Sequence, residues 1–541
     1  MLSFPSGNLP SVLSGGHSFS QVPKADIQRS QFNRSHGYKT AFNSGYLVPV
    51  YLDEALPGDS FNLKMSSFAR LSTPIVPFMD NIYLASFFFA VPYRLVWANF
   101  KKFCGEQATT SASTNFTLPV FTAYNPTAES LSDYMGIPPL GGGATIAHVS
   151  LFHRAYNLIW NEWFRDQNLQ DSVTVDTGDG PDSISNYVLL KRGKRHDYFT
   201  SCLPWTSKNN TGTPVSIGIA GNAPVTGIGK YNQTFNSGSQ AVYETGGSGT
   251  VNYTSYNLIG SLNDNGWYVK GNGSGFPSIY ADLSQVSGIT INALRLAFQT
   301  QKMYERDARG GTRYREIIQS HFGVLDPNDA RLQRPEYLGG GVSPIMLTPV
   351  PQTSVTSGSS ATGRLSAAGI HMQKGQGFVK SFSEHCLLIG LVCVYCDLHY
   401  QQGLERMFSR STRLDMYWPA LANIGEQAVL NKEIYLQGSA NPTDDAAAFG
   451  YQERFAEYRY KVSNITGKMR STYVTPLDYW HLAQKFTSKP TLGDTFIKET
   501  PPLDRVVAVN TEPQLFFDAY FDLKCARPMP TYSVPGLIDH F

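Results

Sequence analysis

The sequence predicts a mainly β chain, an eight-stranded jelly-roll barrel carrying long loop and helix insertions, one of them large and Gly-rich. Three observations predict it. The 541 residues hold 48 glycines and 32 prolines, only 16% charged residues and 13% aromatics, a profile of many short strands and ordered turns. Strand-like segments stand near both ends of the chain, with long excursions between them. A jelly roll accepts insertions in its loops while its barrel stays intact.

The elements follow in chain order. A Ser/Gly/Pro-rich tail runs to about residue 22 and leads into KADIQRSQFNRSHGYK, a basic arm with Lys24, Arg29, Arg34 and Lys39 against one Asp; tail and arm form a first segment, 1–44. Within a second segment, 45–204, YLVPVYL, SFNLKMSSFARL and IYLASFFFAVPYRLVW read as strands divided by Pro and Gly turns. The last of them alternates little, so both of its faces should be covered. HVSLFHRAYNLIWNEWFRD at 148–166 is the clearest helix, with Phe152, Tyr156, Ile159, Trp160 and Trp163 at spacings of three and four. His148 and His153 lie five apart, off the spacing of a helical metal pair, and are expected to pack or face solvent.

Residues 205–288 change character, with 15 glycines and six charged residues among many Asn, Ser, Thr and Tyr, and read as an inserted β-rich surface module. The last segment, 289–541, opens on a helix, TINALRLAFQTQKMYERDAR, behind a possible Thr290 cap. It then returns to strands in KSFSEHCLLIGLVCVYCDLHY, RFAEYRYKVSNITG and QLFFDAYFDLKC.

Composition and motifs restrict function. A net charge of +2 excludes a surface that is basic throughout, though local patches can hide in a balanced total. The first residues lack a basic start followed by an apolar core, so the chain is expected to stay in a cytosol. CLLIGLVCVYC at 386–396 is about half of the ~20 residues that span a bilayer, so no membrane insertion is expected. Cys393 and Cys396 form a CxxC, but on a strand they face opposite sides and cannot share a metal. Each Gly-Lys pair is followed by Arg195, Tyr231 or Met469, so no phosphate loop is present, and HExxH and GxSxG are absent too. We expect no catalytic residues, no metal and no cofactor.

The stretch SHFGVLDPNDARLQRPEYLGGG at 320–341 places Asp326, Asp329, Arg331, Arg334, Glu336 and Tyr337 on a Pro-stiffened loop with alternating charge, which suits bidentate pairing across a subunit interface. His321 reads as structural, and Gly339 to Gly341 as a flexible or tightly turning link. A jelly-roll carbohydrate-binding protein or glycosidase, with Trp205, Trp267 and tyrosines stacking on sugars, remains an alternative, as does a cytosolic binding protein that does not assemble.

RSQFNRSHGYKTAFNSGYLVPVYLDEALPGDSFNLKM at 29–65, ARLSTPIVPFMDN at 69–81, KRHDYFTSCLPW at 194–205 and QKMYERDARGGTRYREIIQSHFGVLDPNDARLQRPEYLGGG at 301–341 resemble the major capsid proteins of gokushoviruses, small icosahedral single-stranded-DNA phages of the Microviridae. The resemblance implies a viral jelly roll and a T=1 icosahedral shell, a homo-oligomer in the virion, assembled in the bacterial host cytoplasm around a circular single-stranded DNA genome. It implies that 205–288 protrudes at the threefold axes, where Tyr231, Tyr243, Tyr253, Tyr256 and Trp267 become candidates for meeting a host surface receptor. Partners implied are a small basic DNA-binding protein, a scaffolding protein and a DNA pilot protein. Two basic clusters then become candidates for touching the packaged DNA: Arg29, Arg34 and Lys39, and Lys191, Arg192, Lys194 and Arg195. Phe32, Tyr38, Tyr198 and Phe199 stand beside them as rings able to stack on bases.

Overall fold

In the computed structural model, residues 28–206 (108 and 110 excepted), 222–224, 280–282, 291–311, 316, 320–321, 333–354 and 363–532 are described. The chain separates into two units, 1–206 with 307–541, and 207–306.

The first unit is built on one antiparallel sheet. Its strands are β1 (Ser30–Asn33), β2 (His36–Phe42), β3 (Val48–Ala55), β4 (Ser60–Leu71) and β5 (Ile82–Pro92) from the early chain. Among its described residues the second unit holds a short pair, β6 (Asn222–Pro224) with β7 (Tyr280–Asp282), and most of the Ile291–Gly310 helix. The late chain of the first unit adds β8 (Glu336–Pro351), β9 (Leu365–Ser381), β10 (Cys386–Cys396) and β13 (Leu515–Arg527), while β11 (Glu426–Leu430) and β12 (Ala448–Glu453) pair separately.

The strand order is β1-β13-β4-β9-β8-β5-β10-β3, with β2 beside β1 on the same edge of β13. β1 and β2 together occupy one place, so the nine strands fill eight positions, and every pairing is antiparallel. This is the jelly-roll arrangement, with β13 from the end of the chain lying between β1/β2 and β4 from its beginning. The sheet bends at β8, whose first part (Glu336–Ile345) pairs with β5 and whose last part (Met346–Pro351) pairs with β9. The edge strand β3 is tied by side chains to the opposite end of the sheet: Arg34, between β1 and β2, makes a fork with Asp53 at 2.6 and 3.0 Å, and Arg527 at the end of β13 donates to the Glu54 carbonyl at 2.7 Å.

Alternation explains the interior. On β4, Phe61, Leu63, Met65, Ala69 and Leu71 are buried, and on β13 Leu515, Phe517, Ala519, Phe521, Leu523 and Cys525 face them in the same core. β10 alternates between two cores instead. Leu388, Val392, Val394 and Cys396 point to the interior of the sheet, while Leu387, Ile389, Leu391 and Cys393 point to a second cluster with Trp97, Phe121, Tyr156 and Trp160. That second cluster is supplied by the Leu151–Ile159 helix, which continues as a wider turn over Trp160–Phe164. The expected double coverage of β5 has the same cause, with Phe88 on one side and Phe89 on the other. Cys393 and Cys396 lie in different cores, as the strand geometry of the CxxC requires, and all six cysteines are free.

Two expectations are corrected. RFAEYRYKVSNITG forms no strand: Phe455 adopts a left-handed backbone (φ 61°) that starts a short turn, and the segment keeps only an isolated bridge between Tyr400 and Asn464. Gly339, Gly340 and Gly341 do not form a link. They lie inside β8, where a Cβ on any of them would strike the Gly377 carbonyl, the Ser86 carbonyl or the Gln376 side chain. The glycines let three strands approach where the sheet bends.

Candidate subunit and nucleic-acid contact surfaces

Arg34 is held by Asp53 and Arg29 donates to the Gly58 carbonyl at 2.6 Å, both at the edge of the sheet. Lys39 pairs with Asp518 at 2.8 Å and stays largely exposed. The second basic cluster runs across the second core layer because Arg192 and Lys194 are locked by their backbones: Arg192 N–H donates to Gly45, Glu499 N–H to Arg192, and Lys194 N–H to Ile497.

The side chains divide accordingly. Lys194 is only 7% exposed, donates to Gln484 Oε1 at 2.8 Å and lies 4.4 Å from the Phe496 ring. Burial pushes its ammonium pKa down, against the pull of Glu499, and burial pushes the Glu499 carboxyl up. Lys194 is therefore an internal group, which corrects its candidacy for DNA contact. The Arg192 guanidinium sits between the rings of Phe87 (5.5 Å) and Tyr395 (4.5 Å). Lys191 rests on Tyr46 at 4.9 Å, and its pKa is lowered first by burial and then by Lys498. Arg195 remains more than half exposed beside Asp397. The rings expected to stack on bases are drawn into the cores, two of them fully and two in part. Tyr198 and Phe199 are buried in the cluster with Tyr400 and Phe449, and Phe32 and Tyr38 pack on the sheet's core.

Among the interface candidates, Asp326, Asp329 and Arg331 lie outside the described residues, as do Tyr231, Tyr243, Tyr253, Tyr256 and Trp267. Glu336 is ion-paired with Lys380 across the sheet. Arg334 lies 4.5 Å over the Trp163 ring, whose Nε1 donates to the Pro335 carbonyl at 2.9 Å. Tyr337 packs on Phe89 and Trp163 yet stays two-fifths exposed. His321 pairs with Asp307 at 2.7 Å. Members of the two candidate groups meet in one cleft of about 750 Å³, where Arg192, Arg195 and Tyr337 share the lining with Trp163, Arg165 and Arg309. Arg309 is engaged there by Glu426 and Glu453.

His148 and His153 stack 5.3 Å apart against Phe121. His153 is buried, bonded to Ser132 Oγ at 2.9 Å, and burial, with His148 second, lowers its pKa to about 3. It is neutral in the folded chain, whereas the unfolded chain protonates it as pH drops through about 6.5. The folded-state pKa is depressed, so acidification between those two values should remove stability, up to roughly 4 kcal/mol at the acid end. Melting curves of His153→Gln should flatten over that interval; an unchanged pH slope would contradict the assignment.

Sequence reading missed the Arg154–Asp182 pair, which neighbouring charges in the sequence do not signal. It also missed the apolar segment after Leu404, although RMFSRSTRLDMYWPALANIG has no period that would bury its apolar residues. Among the described residues no group of His, Cys, Asp and Glu could hold a metal, and no helix is long and apolar enough to cross a membrane.

Comparison with known proteins gives one family. A family model described as capsid protein (F protein) matches residues 20–537. Capsid protein VP1 of Bdellovibrio phage phiMH2K is 44% identical over 97% of this chain and 98% of its own length. Capsid protein VP1 of Chlamydia phage 1 is 42% identical over 98% of each chain. Capsid protein VP1 of Spiroplasma virus 4 is 38% identical over 96% of this chain and 97% of its own.

Proposed function

The chain belongs to the phage capsid protein (F protein) family, and from that membership we propose that it closes a T=1 icosahedral shell around a circular single-stranded DNA genome. It is a structural capsid protein of the virion, not an enzyme. The observation that carries the reading is similarity over nearly the whole chain, on a jelly roll whose first and last strands are interleaved. Shell formation needs contacts that differ around each symmetry axis, and long loops outside an intact barrel supply such surfaces.

Within that reading, Arg334, Glu336 and Tyr337, with Asp326, Asp329 and Arg331 of the same loop, contribute to subunit contacts. Segment 205–288 forms the protrusion and meets the host receptor. Packaged DNA runs past Arg29, Lys39, Lys191 and Arg195, cations of the two clusters that keep solvent access; Arg34, also exposed, is engaged in its fork with Asp53, and the partly exposed Arg192 is held between two rings. A net charge of +2 cannot neutralise a genome, so a small basic DNA-binding protein and counterions carry most of the compensation. A scaffolding protein and a DNA pilot protein complete the set of partners.

Two altered particles test these parts. With Arg29, Lys39, Lys191 and Arg195 changed to Gln, particles should form but hold less ordered DNA, and short single strands should bind isolated subunits with a weaker salt dependence, by roughly 0.7 in log–log slope per lost phosphate contact. Normal DNA content with an unchanged slope would remove those residues from the DNA path. With 210–285 replaced by a short linker, particles should form yet fail to adsorb to host cells, and undiminished adsorption would retire the attachment role.

A further inference from the structure

The segment Met407–Ile424 leaves the cluster around Tyr198 and Phe449 as a run of short turns, Arg406–Ser409, Arg413–Asp415 and Pro419–Leu421. Its attachment is firm. Arg406 donates to the Ala428 carbonyl at 2.7 Å and to Glu433 Oε1 at 2.9 Å, and Tyr198 closes the network by donating to Glu433 Oε2 at 2.9 Å. The middle is pinned too, since Arg454 donates to the Leu414 carbonyl at 2.8 Å and Asp415 accepts from the Thr412 N–H and hydroxyl.

A segment held this way would ordinarily turn its apolar side chains inward. Here Phe408 is 70% exposed, Ile424 64%, Leu414 61% and Met416 56%, with Trp418 beside them at 40%. Its cations are engaged within the chain: Arg413 lies 4.6 Å over the Trp418 ring, and Arg410 lies over Tyr458 and pairs with Glu457. What this pinned segment turns outward is therefore Phe, Leu, Met, Trp and Ile side chains. Aromatic residues, Met and Arg are the types enriched where two proteins meet, and a surface already fixed in place loses little entropy on being covered.

We propose that Met407–Ile424 is a subunit contact, covered in the shell by a second copy of this chain through a different part of its surface. The inference rests on the capsid reading. The occupant follows from the capsid reading and the chemistry: with Arg410 and Arg413 held over Tyr458 and Trp418 and Asp415 held by Thr412, the segment offers chiefly apolar area, which complements another apolar protein surface rather than a phosphate backbone. The family's defining activity is assembly of this chain with itself. In a heterologous contact one patch meets a different one, so an unpartnered cluster on every subunit is what a closed shell consumes.

Hydroxyl-radical footprinting of purified particles against dissociated subunits tests this. Met407, Met416 and Trp418 should oxidise readily in subunits and be strongly protected in particles. Equal oxidation in both would overturn the contact. As a second arm, Leu414→Asp with Ile424→Asp places carboxylates at exposed positions and should leave the subunit's melting temperature unchanged while lowering shell yield roughly tenfold or more. Folded variant subunits assembling at the unaltered yield would likewise overturn it, and if the variant does not fold, the footprint decides alone. Failure of the unaltered chain to appear in any closed particle would sink the capsid reading and this contact with it, whereas closed particles with unprotected Met416 and Trp418 would sink the contact only.

Discussion

Asp182→Ala is expected to cost the isolated subunit about 3 to 5 kcal/mol, measured by urea unfolding, because it strands a buried guanidinium. Arg154 and Asp182 have side chains with no solvent exposure, joined by two bonds of 2.7 and 2.6 Å. Arg154 also donates to the carbonyls of Val96 and Gly178 at 2.9 Å, and Tyr187 donates to Asp182 at 3.3 Å, so one ion pair fastens the 176–187 segment and the Tyr93–Val96 turn after β5 to the Leu151–Ile159 helix. Burial alone would raise the Asp182 carboxyl pKa, but the Arg154 hydrogen bonds hold it below its ordinary range. The pair's contribution is thus present at neutral pH and lost only as acid protonates the carboxylate. Adding Arg154→Met to Asp182→Ala should recover much of the loss, since the remaining groups no longer include a buried charge. A loss below about 1 kcal/mol for the single change would mean that water reaches the site, as at a surface pair.

Gly340→Ala should be among the most damaging small substitutions in the sheet. A Cβ there meets the Ser86 carbonyl, part of the β5 backbone, and cannot be accommodated by a rotamer change. Moving β5 would disturb Phe88 and Phe89, which face the two cores on either side of it. The expected loss is about 3 kcal/mol. Gly141→Ala, where nothing lies within 4 Å, serves as the control and should stay within roughly 0.5 kcal/mol of the unaltered chain. Equal stability of the two variants would refute the reading of β8 as a tight crossover.

The fold was legible where burial on one or both faces leaves a pattern. β4 and β13 alternate cleanly and were found nearly to the residue, and the weak alternation of IYLASFFFAVPYRLVW announced β5 as a strand covered on both sides. RFAEYRYKVSNITG misled because its tyrosines and valine have strand propensity, whereas its conformation is set by the turn at Phe455 and by packing of Ala456 against the cluster around Tyr198. The triple glycine misled for a related reason. Its purpose is to let β5, β8 and β9 come close, which no local signal reveals.

The candidate surfaces were legible only in part. A run such as KRGKR advertises charge, but the burial of Lys194 depends on Gln484, Phe496 and Glu499, residues 290 to 305 positions away. The aromatic neighbours expected to stack on bases carry the same side chains a core needs, and sequence cannot say which use a ring is put to. The apolar segment at Met407–Ile424 was readable in principle, since its composition contradicts its lack of period.

The assignment as a shell-forming capsid protein is decided by cryo-electron microscopy of particles purified with this chain as their main component. It predicts a closed T=1 icosahedral shell of megadalton mass in which every position is filled by this jelly roll, with density for 205–288 rising at the threefold axes and Met407–Ile424 covered by a neighbour. A monomer or small oligomer under all assembly conditions, or a shell built from another fold, would contradict it.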